Sequence, residues 1–266
     1  MSNIIKTSKN KQTKMKEPTS TNLNKFISQT GFCSRRGADA LIDEGKVKIN
    51  GVVAKLGNRV FEGDVVTIND KPLKTQDKII YMAFNKPVGV SCTTDLKDKY
   101  NIIDFLKYPT RIFPIGRLDK PSQGLIFLTN DGDIVNKILR AGNNHEKEYL
   151  VSVDKPITAE FIKKMSSGVP ILDTFTQKCQ VTQESKMVFS IILKQGLNRQ
   201  IRRMCMYLGY NVTKLKRTRI MNITLEGIVE GKWRYFTEEE ITTINELVAT
   251  STKTEEGSFL PDDSNE

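Results

Sequence analysis

The alternation of short strand-like and helix-like segments between residues 79 and 248 constrains the fold more than any other feature of this sequence. Residues 79–84 and 124–129 are apolar runs typical of buried strands, and Asp131 is a suitable cap for the amphipathic helical segment that follows it. These segments do not keep the regular strand-helix-strand order that a parallel sheet requires. The sequence therefore predicts an α+β domain with a mainly antiparallel, mixed sheet over residues 79–248.

A second, smaller domain is predicted over residues 23–70. Two helical apolar patterns are followed by strand-like alternation, and Ser34 is placed to cap the second helix. Residues 50–51 are Asn-Gly, a strong signal for a two-residue hairpin turn. Residues 71–78 are polar and contain Pro72, so they are predicted to link the two domains.

The two ends of the chain are predicted to be disordered tails of opposite charge. Residues 1–22 carry five lysines against one acidic residue, which indicates a basic arm able to contact phosphates without sequence preference. Residues 249–266 carry five acidic residues against one lysine, and no chemistry is predicted for them.

The basic balance of the chain favours a polyanionic partner. The formal net charge is +10, and eight cations occur between residues 194 and 219 without an acidic residue among them. Solvated surfaces usually mix their charges, so an acid-free run of this length predicts a surface that faces phosphates. The alternative is a soluble protein that is merely basic. The eight cations are Lys194, Arg199, Arg202, Arg203, Lys214, Lys216, Arg217 and Arg219.

Composition excludes several classes of chemistry. His145 is the only histidine, which removes Ser-His-Asp and Cys-His catalysis and argues against a His-ligated zinc site, so no metal is expected. The four cysteines form no Cys-x-x-Cys pair, which is typical of reduced thiols in the cytoplasm. With no run of eighteen apolar residues and no secretory signal, no membrane association is expected. The glycine patterns of dinucleotide and Walker sites are absent too, so no nucleotide cofactor is expected.

Asp119 is the strongest candidate for a catalytic residue. It lies in a turn directly before the strand-like run 124–129, between Arg117 and Lys120, whose charges favour its ionised form. The alternative is a turn aspartate that bonds its own backbone. Tyr149 also has two interpretations, because it can be a half-buried strand aromatic or a platform for an unstacked base.

Arg35 and Arg36 stand in the first turn of the second predicted helix, where the helix dipole disfavours cations. A bound phosphate would reverse this effect, and two solvated arginines are the alternative. The helices and the following residues 45–51 (Gly-Lys-Val-Lys-Ile-Asn-Gly) resemble the S4 RNA-binding domain. Together with Lys46 and Lys48, the two arginines are the candidate RNA contacts of this domain.

Three motifs in the larger domain resemble those of one enzyme family. They are residues 116–119 (Gly-Arg-Leu-Asp), 147–149 (Lys-Glu-Tyr) and 200–204 (Gln-Ile-Arg-Arg-Met). In this order, after an S4-like domain, they resemble the RsuA-type pseudouridine synthases over nearly the whole chain. Arg199 stands where many members have histidine, and residues 198–200 (Asn-Arg-Gln) are similar to the branch that modifies large-subunit ribosomal RNA.

The resemblance implies an isomerase that converts a uridine of structured RNA to pseudouridine without a cofactor. It implies Asp119 as the catalytic residue, Tyr149 as the residue that stacks on uracil, and Arg202 as the partner that pairs with Asp119. Three roles for Asp119 stay open: attack on the sugar carbon, attack on uracil C6, or action as a base toward the sugar. Further substrate contacts are implied for Arg117, Leu215, Arg199 and Arg203.

Large-subunit ribosomal RNA, before or during ribosome assembly, is the expected partner, with transfer RNA as a second target. The enzyme is expected to be a cytoplasmic monomer. Two other functions stay open. A non-catalytic assembly factor would explain the charge and the S4-like domain, but not a constrained Asp119 with a distant arginine and tyrosine. A base-excising glycosidase would normally need a second carboxylate, and the sequence offers none in a comparable setting.

Overall fold

The computed structural model describes residues 19–74, 78–95, 97–139, 144–249 and 251. The chain forms two compact units that divide between residues 75 and 76. This division falls within the predicted linker, of which residues 75–77 lie outside the described part of the chain. Both predicted tails also lie almost wholly outside it.

The N-terminal unit packs two helices and short strands around one apolar core. The core includes Leu23 and Ile27 from the first helix, Ala38 and Ile42 from the second, and Val66 from a strand. The elements are β1 (Ser20–Asn22), α1 (Leu23–Gln29), α2 (Arg35–Asp43), β2 (Val47–Ile49), β3 (Val52–Val53), β4 (Arg59–Phe61), β5 (Val66–Ile68) and β6 (Lys71–Pro72).

The predicted helix cap and hairpin turn of this unit both form. The Ser34 side chain accepts a hydrogen bond from the Gly37 backbone N–H at 3.0 Å, which satisfies one of the free donors at the start of α2. Asn50 and Gly51 take positive φ values of 50° and 81° and join β2 to β3. Local sequence therefore sets both features.

The structure departs from the predicted limits of this domain at both ends. Ser20–Asn22, assigned above to the basic tail, form β1 and pair with β4. The Arg59 side chain donates to Ser20 Oγ and to the Ser20 backbone oxygen at 2.7 Å each, which ties this strand to the unit. Lys71–Pro72, assigned to the linker, form β6 and pair with β5. Proline is tolerated there because an edge strand leaves one side of its backbone unpaired.

The second unit contains one large sheet with helices packed against it. Among the helices of the described residues, none combines the length and the apolar character needed to cross a lipid bilayer. The elements are β7 (Tyr81–Lys86), α3 (Ile102–Leu106), β8 (Phe113–Ile115), β9 (Gln123–Thr129), α4 (Gly132–Leu139), β10 (Lys147–Val153), α5 (Ala159–Ser167), β11 (Pro170–Ile171), β12 (Thr174–Phe175), β13 (Gln180–Ser185), β14 (Val188–Leu193), α6 (Gln200–Tyr207), β15 (Val212–Ile220), β16 (Ile223–Thr224), β17 (Trp233–Tyr235) and α7 (Glu238–Val248).

The large sheet has nine strands in the order β13-β14-β10-β15-β9-β7-β17, with β16 paired to β15 and β8 paired to β9. Within the described residues, β9 and β15 are its only parallel neighbours, and the other pairs are antiparallel. The parallel contact is short, with Lys216 opposite Gln123 and Arg217 opposite Gly124. The prediction of an α+β domain with a mainly antiparallel, mixed sheet is confirmed.

Gly124 permits the close approach of the two strands at this parallel contact. It has a φ of 113°, and a Cβ atom on it would lie 2.3 Å from the Arg217 backbone oxygen and 2.6 Å from the Arg217 nitrogen. No side chain fits at such distances, so glycine lets β15 lie directly against the start of β9. The loop before β9, residues 116–122, is thereby held beside β15.

Two apolar cores support the strands around this contact. The helices α5 and α6 contribute Phe161 and Met204 to a core with Phe189 of β14 and Leu215 of β15. The helices α4 and α7 pack with Phe127 of β9 in the other core. Full burial of one such side chain contributes roughly 1.5–3 kcal/mol, so the strands and α6 form a firm frame for the loops between them.

Candidate active site

A cleft of about 430 Å³ opens beside the contact between β9 and β15. Four segments form most of its wall: the loop before β9, strand β10, residues 195–199 with the start of α6, and strand β15; Leu139 at the end of α4 and Leu193 at the end of β14 complete it. Six of the residues predicted for the site line this cleft, although they lie far apart in the sequence. They are Arg117, Asp119, Tyr149, Arg199, Arg202 and Leu215.

Asp119 lies on a loop that backbone hydrogen bonds hold in place. The Ser122 N–H donates to the Asp119 carbonyl oxygen at 2.9 Å, and the Gly89 N–H donates to the Lys120 carbonyl oxygen at 2.8 Å. The Asp119 side chain is 35% exposed. A carboxylate on a fixed loop is therefore presented to the cleft, where a substrate can reach it.

The structure pairs Asp119 with Arg199, whereas the resemblance implies Arg202. Arg199 Nη1 lies 3.9 Å from Asp119 Oδ2, at the outer limit of an ion pair. The Arg202 guanidinium instead donates to Pro121 O and to Ser122 Oγ at 3.1 Å each. Burial and the Arg199 charge lower the pKa of Arg202, while the Asp119 charge raises it. Both acceptors belong to the loop that carries Asp119. Arg202 therefore fixes this loop and does not bond to the Asp119 carboxylate.

Tyr149 is half-buried on β10 and lines the cleft. Its ring packs against the core that contains Leu215, and the Arg217 guanidinium carbon lies over the ring at 5.9 Å from its centroid. A ring that is held by its strand and flanked by a cation offers a flat surface to a nucleobase.

Lys147 and Arg217 also line the cleft, although the motifs assign no role to either side chain. Lys147 Nζ donates to the His145 carbonyl oxygen at 2.9 Å, and Arg217 Nε donates to the Leu125 carbonyl oxygen at 2.7 Å. Burial and then the Arg217 charge lower the pKa of Lys147 to about 8. Strand periodicity could have predicted Arg217 as a cleft residue. Leu215 and Arg217 are two residues apart in β15, and side chains at this spacing lie on the same face of a strand.

Comparison with known proteins matches both units to described families. Residues 80–207 match the RNA pseudouridylate synthases, and residues 21–66 match the S4 domain. The chain is 59% identical over 232 residues to the dual-specificity RNA pseudouridine synthase RluF of Salmonella typhi, an alignment that covers 86% of this chain and 80% of that protein. The chain belongs to the RNA pseudouridine synthase family.

Two further comparisons agree with this assignment. The ribosomal large subunit pseudouridine synthase B of Bacillus subtilis is 36% identical over 234 residues, which cover 85% of this chain and 96% of that protein. A solved crystal structure of a pseudouridylate synthase has a TM-score of 0.62 and 28% identity, and covers 84% of this chain and 99% of that chain. The predictions of the enzyme class and of an N-terminal S4 domain are confirmed.

Two of the eight cations that do not line the cleft bond to other groups of the protein. Arg203 does not line the cleft, and its Nε donates to the Asn198 carbonyl oxygen at 3.0 Å. Arg219 pairs with Glu146 at 3.1 Å and with Glu148 at 2.8 Å. Residues 194–219 contain no acidic residue, but in the folded chain acidic residues of another strand lie beside them. The pairing of β10 with β15 brings Glu148 opposite Arg219.

The candidate RNA contacts of the N-terminal unit fall into two kinds. Arg35 and Arg36 are exposed on the first turn of α2. Lys46 and Lys48 each have Nζ at 2.6 Å from a carboxylate of the same unit. The two arginines therefore offer their charge more freely to a phosphate than the two lysines do.

Cations and amides supply most of the polar groups of the synthase cleft. Among the described residues, no group of three or more His, Cys, Asp or Glu side chains is arranged to hold a metal ion. Lys147, Gln195, Asn198 and Gln200 line the cleft beside the arginines. Such donors suit ligand groups that accept hydrogen bonds, such as phosphates and base carbonyls.

Proposed function

We propose that this pseudouridine synthase isomerises a uridine of structured RNA, in the first place large-subunit ribosomal RNA, with Asp119 as the catalytic group. One observation carries the proposal: three separate parts of the chain, which bear Asp119, Tyr149, and Arg199 with Arg202, line one cleft. Two relatives support the choice of substrate by their names, which specify the ribosomal large subunit in one case and dual specificity in the other.

The reaction breaks the C1′–N1 bond of the uridine, turns the uracil and joins C1′ to C5, after which C5 releases a proton and the freed N1 takes one up. Substrate and product have the same atoms, so the balance needs no co-reactant. The uridine must first leave its stack, which costs a few kcal/mol and is easiest in loops and bulges. A cleft of about 430 Å³ is of the size that holds a small ligand.

Each residue of the cleft has a distinct part in this proposal. An ionised Asp119 serves each of the three routes that stay open: attack on C1′, attack on uracil C6, or proton removal from the sugar. Arg199 places a positive charge beside the carboxylate, with its Nη1 atom 3.9 Å from Asp119 Oδ2. Tyr149 stacks on the extruded base, and Arg202 keeps the loop of Asp119 in position through its bonds to Pro121 and Ser122.

The wider setting of the enzyme is also part of the proposal. Substrate contacts come from Arg117 and Leu215. Arg203 acts indirectly, because it bonds to Asn198, a residue of the loop that lines the cleft. The S4 unit binds RNA phosphates through Arg35 and Arg36. The enzyme works as a cytoplasmic monomer on ribosomal RNA before or during assembly, when a uridine can still be extruded, and transfer RNA is the second target.

Asp119→Asn tests the catalytic assignment. The amide cannot be ionised, so we expect loss of pseudouridine formation, with RNA binding close to that of the wild type. Pseudouridine mapping on large-subunit rRNA fragments measures the first effect, and fluorescence anisotropy measures the second. Asp173→Asn is the matched control, because Asp173 is exposed, lies outside the cleft and has a φ of 58° that asparagine tolerates.

Two outcomes would contradict the proposal. Turnover that survives Asp119→Asn would remove Asp119 from its role. Free uracil, released by the wild type in place of pseudouridine, would identify a base-excising glycosidase instead.

A further inference from the structure

Three buried side-chain nitrogen atoms in the described residues have no hydrogen-bond partner. They are Gln195 Nε2, Arg202 Nε and Arg217 Nη2, and all three residues line the cleft that contains Asp119. Each atom is an N–H donor. Buried donors are normally paired because an unpaired one costs stability, so three of them in one cleft point to a ligand that presents acceptors.

Gln195 and Arg217 are nearly fully buried, with 6% and 5% exposure. Arg217 is fixed by the hydrogen bond from its Nε to the Leu125 carbonyl oxygen, and its Nη2 has no hydrogen-bond partner. Gln200 provides the contrast, because it lines the same cleft and is 4% exposed, but its Nε2 donates to Met204 Sδ at 3.8 Å and its Oε1 accepts from the Leu197 N–H at 3.0 Å. The open donors are therefore a property of particular positions and not of every amide in the cleft.

Uracil matches these open donors in its chemistry. It presents two carbonyl oxygens, whereas cytosine presents one and carries an amino group that is itself a donor. The isomerisation also preserves the match. When uracil turns about the axis through N3 and C6, C5 takes the place of N1 and O4 takes the place of O2. Two donors that each bind one carbonyl oxygen therefore fit the base both before and after it turns.

We propose that Gln195 and Arg217 are specificity-determining residues that donate hydrogen bonds to the two carbonyl oxygens of the target uracil. This inference rests on the proposed function, since it takes the base that stacks on Tyr149 as the ligand. The Arg217 guanidinium lies over the Tyr149 ring, 5.9 Å from its centroid, which places the donor next to the proposed base platform.

Gln195→Met separates this role from a structural one. The substitution removes the amide with little change in volume, and loss of one neutral hydrogen bond predicts a fall of about three- to tenfold in kcat/KM on the mapped rRNA fragment. The Tm is expected to stay or to rise, because an unpaired buried donor has been removed. Gln200→Met is the matched control, and its Tm is expected to fall because the Leu197 N–H loses its acceptor.

RNA that carries sulfur at the target base tests which atoms interact. The same rRNA fragment is prepared with 2-thiouridine or 4-thiouridine at the target position, since sulfur accepts hydrogen bonds more weakly than oxygen. Each thio substitution is expected to lower kcat/KM of the wild type. The loss in kcat/KM caused by one thio substitution should disappear in Gln195→Met, and the loss caused by the other should disappear in Arg217→Lys. The reason is that the effects of changing both members of an interacting pair do not add. The lysine keeps the positive charge of Arg217 but not its fork of donors.

The outcomes distinguish this inference from the proposed function. A wild type that makes no pseudouridine contradicts the proposed function itself. A wild type that is active, with Gln195→Met equally active, contradicts only the assignment of the donors. The assignment is also overturned if kcat/KM and Tm fall together in Gln195→Met, or if both thio penalties persist in both variants.

Discussion

The basic residues at the start of α2 and those beside the contact between β9 and β15 carry the same charge in opposite surroundings. Arg35 and Arg36 are exposed on the first turn of a helix. Lys147 and Arg217 are 8% and 5% exposed on neighbouring strands. The exposed pair can act on phosphates through a field that salt screens, whereas the buried pair acts only on groups that reach its hydrogen-bonding atoms.

The comparison shows that burial decides what a cation does. A solvated arginine keeps its hydration, so its replacement changes the free energy of unfolding little. A buried cation loses hydration and needs short bonds to the protein, as Lys147 has to His145 and Arg217 has to Leu125. The proposed binding surface and the proposed reaction cleft of this enzyme therefore differ in how far they depend on the exact packing of the chain.

Gly124→Ala is expected to have the largest effect, because it breaks the contact that buries Arg217. The added Cβ atom would lie 2.3 Å from the Arg217 backbone oxygen, so β15 must move away from β9. Backbone strain and overpacking together predict a loss of more than about 3 kcal/mol in the free energy of unfolding of the catalytic unit. Pseudouridine formation is expected to be lost as well. Denaturant unfolding and pseudouridine mapping measure the two effects.

Gly51→Ala is the matched control in the N-terminal unit. Gly51 also has a positive φ, 81°, but nothing lies within 4 Å of an added Cβ atom. Only the conformational cost of about 1–2 kcal/mol is expected there. Equal destabilisation by the two substitutions would contradict the role given to the close approach of β9 and β15.

Lys147→Met tests the buried cations through the pH dependence of the free energy of unfolding. Burial and the Arg217 charge lower the pKa of Lys147 from 10.5 to about 8. Between these two values the unfolded chain binds a proton that the folded protein lacks, so the stability that this residue contributes rises with pH. The unfolding free energy of the wild type relative to Lys147→Met is expected to increase by up to about 3 kcal/mol across this window.

Urea unfolding of both proteins at pH 7, 8, 9 and 10 measures this difference. Other groups that titrate in the alkaline range are common to both proteins and cancel in the subtraction. A difference that stays constant with pH would show that Lys147 titrates as a solvated lysine, which would contradict its place among the buried cations.

Replacing Arg35 and Arg36 by glutamine together is expected to have the smallest effect on stability and a selective effect on RNA binding. Loss of two phosphate contacts predicts that the negative slope of log K against log salt concentration becomes shallower by about 1.4–1.8. Anisotropy titrations with an rRNA fragment at several salt concentrations measure this slope. Lys46→Gln with Lys48→Gln is the matched control, and a smaller change is expected because both lysines are in ion pairs. A slope equal to that of the wild type in the arginine variant would move the RNA contacts elsewhere.

The local elements of this fold could be predicted because their signals are local. Ser34 caps α2 through a bond to a residue three positions on, and the turn at Asn50 and Gly51 needs only positive φ values. The limits of the N-terminal domain were harder to predict, since β1 pairs with a strand almost forty positions away, as the bond from Arg59 to Ser20 shows.

The candidate site was predictable to the extent that motifs mark it. Asp119 and Tyr149 stand in motifs, and both line the cleft. The partner of Asp119 was not predictable from the motif alone, because Arg199 and Arg202 lie one turn apart at the start of α6. Their different contacts depend on where the loop after Asp119 lies, and this is a property of the packed sheet.

The sequence by itself determined the fold class, the two domains and the enzyme family, and it predicted the aspartate on which the proposed chemistry depends, because each has a signal in neighbouring residues or in a motif. Only the tertiary structure decided which cations enter the cleft. Arg217 is buried there because β15 lies against β9, and its bond to Leu125 joins residues 92 positions apart. The protonation and hydrogen bonding of a side chain depend on its neighbours in space, and those neighbours exist only once the chain has folded.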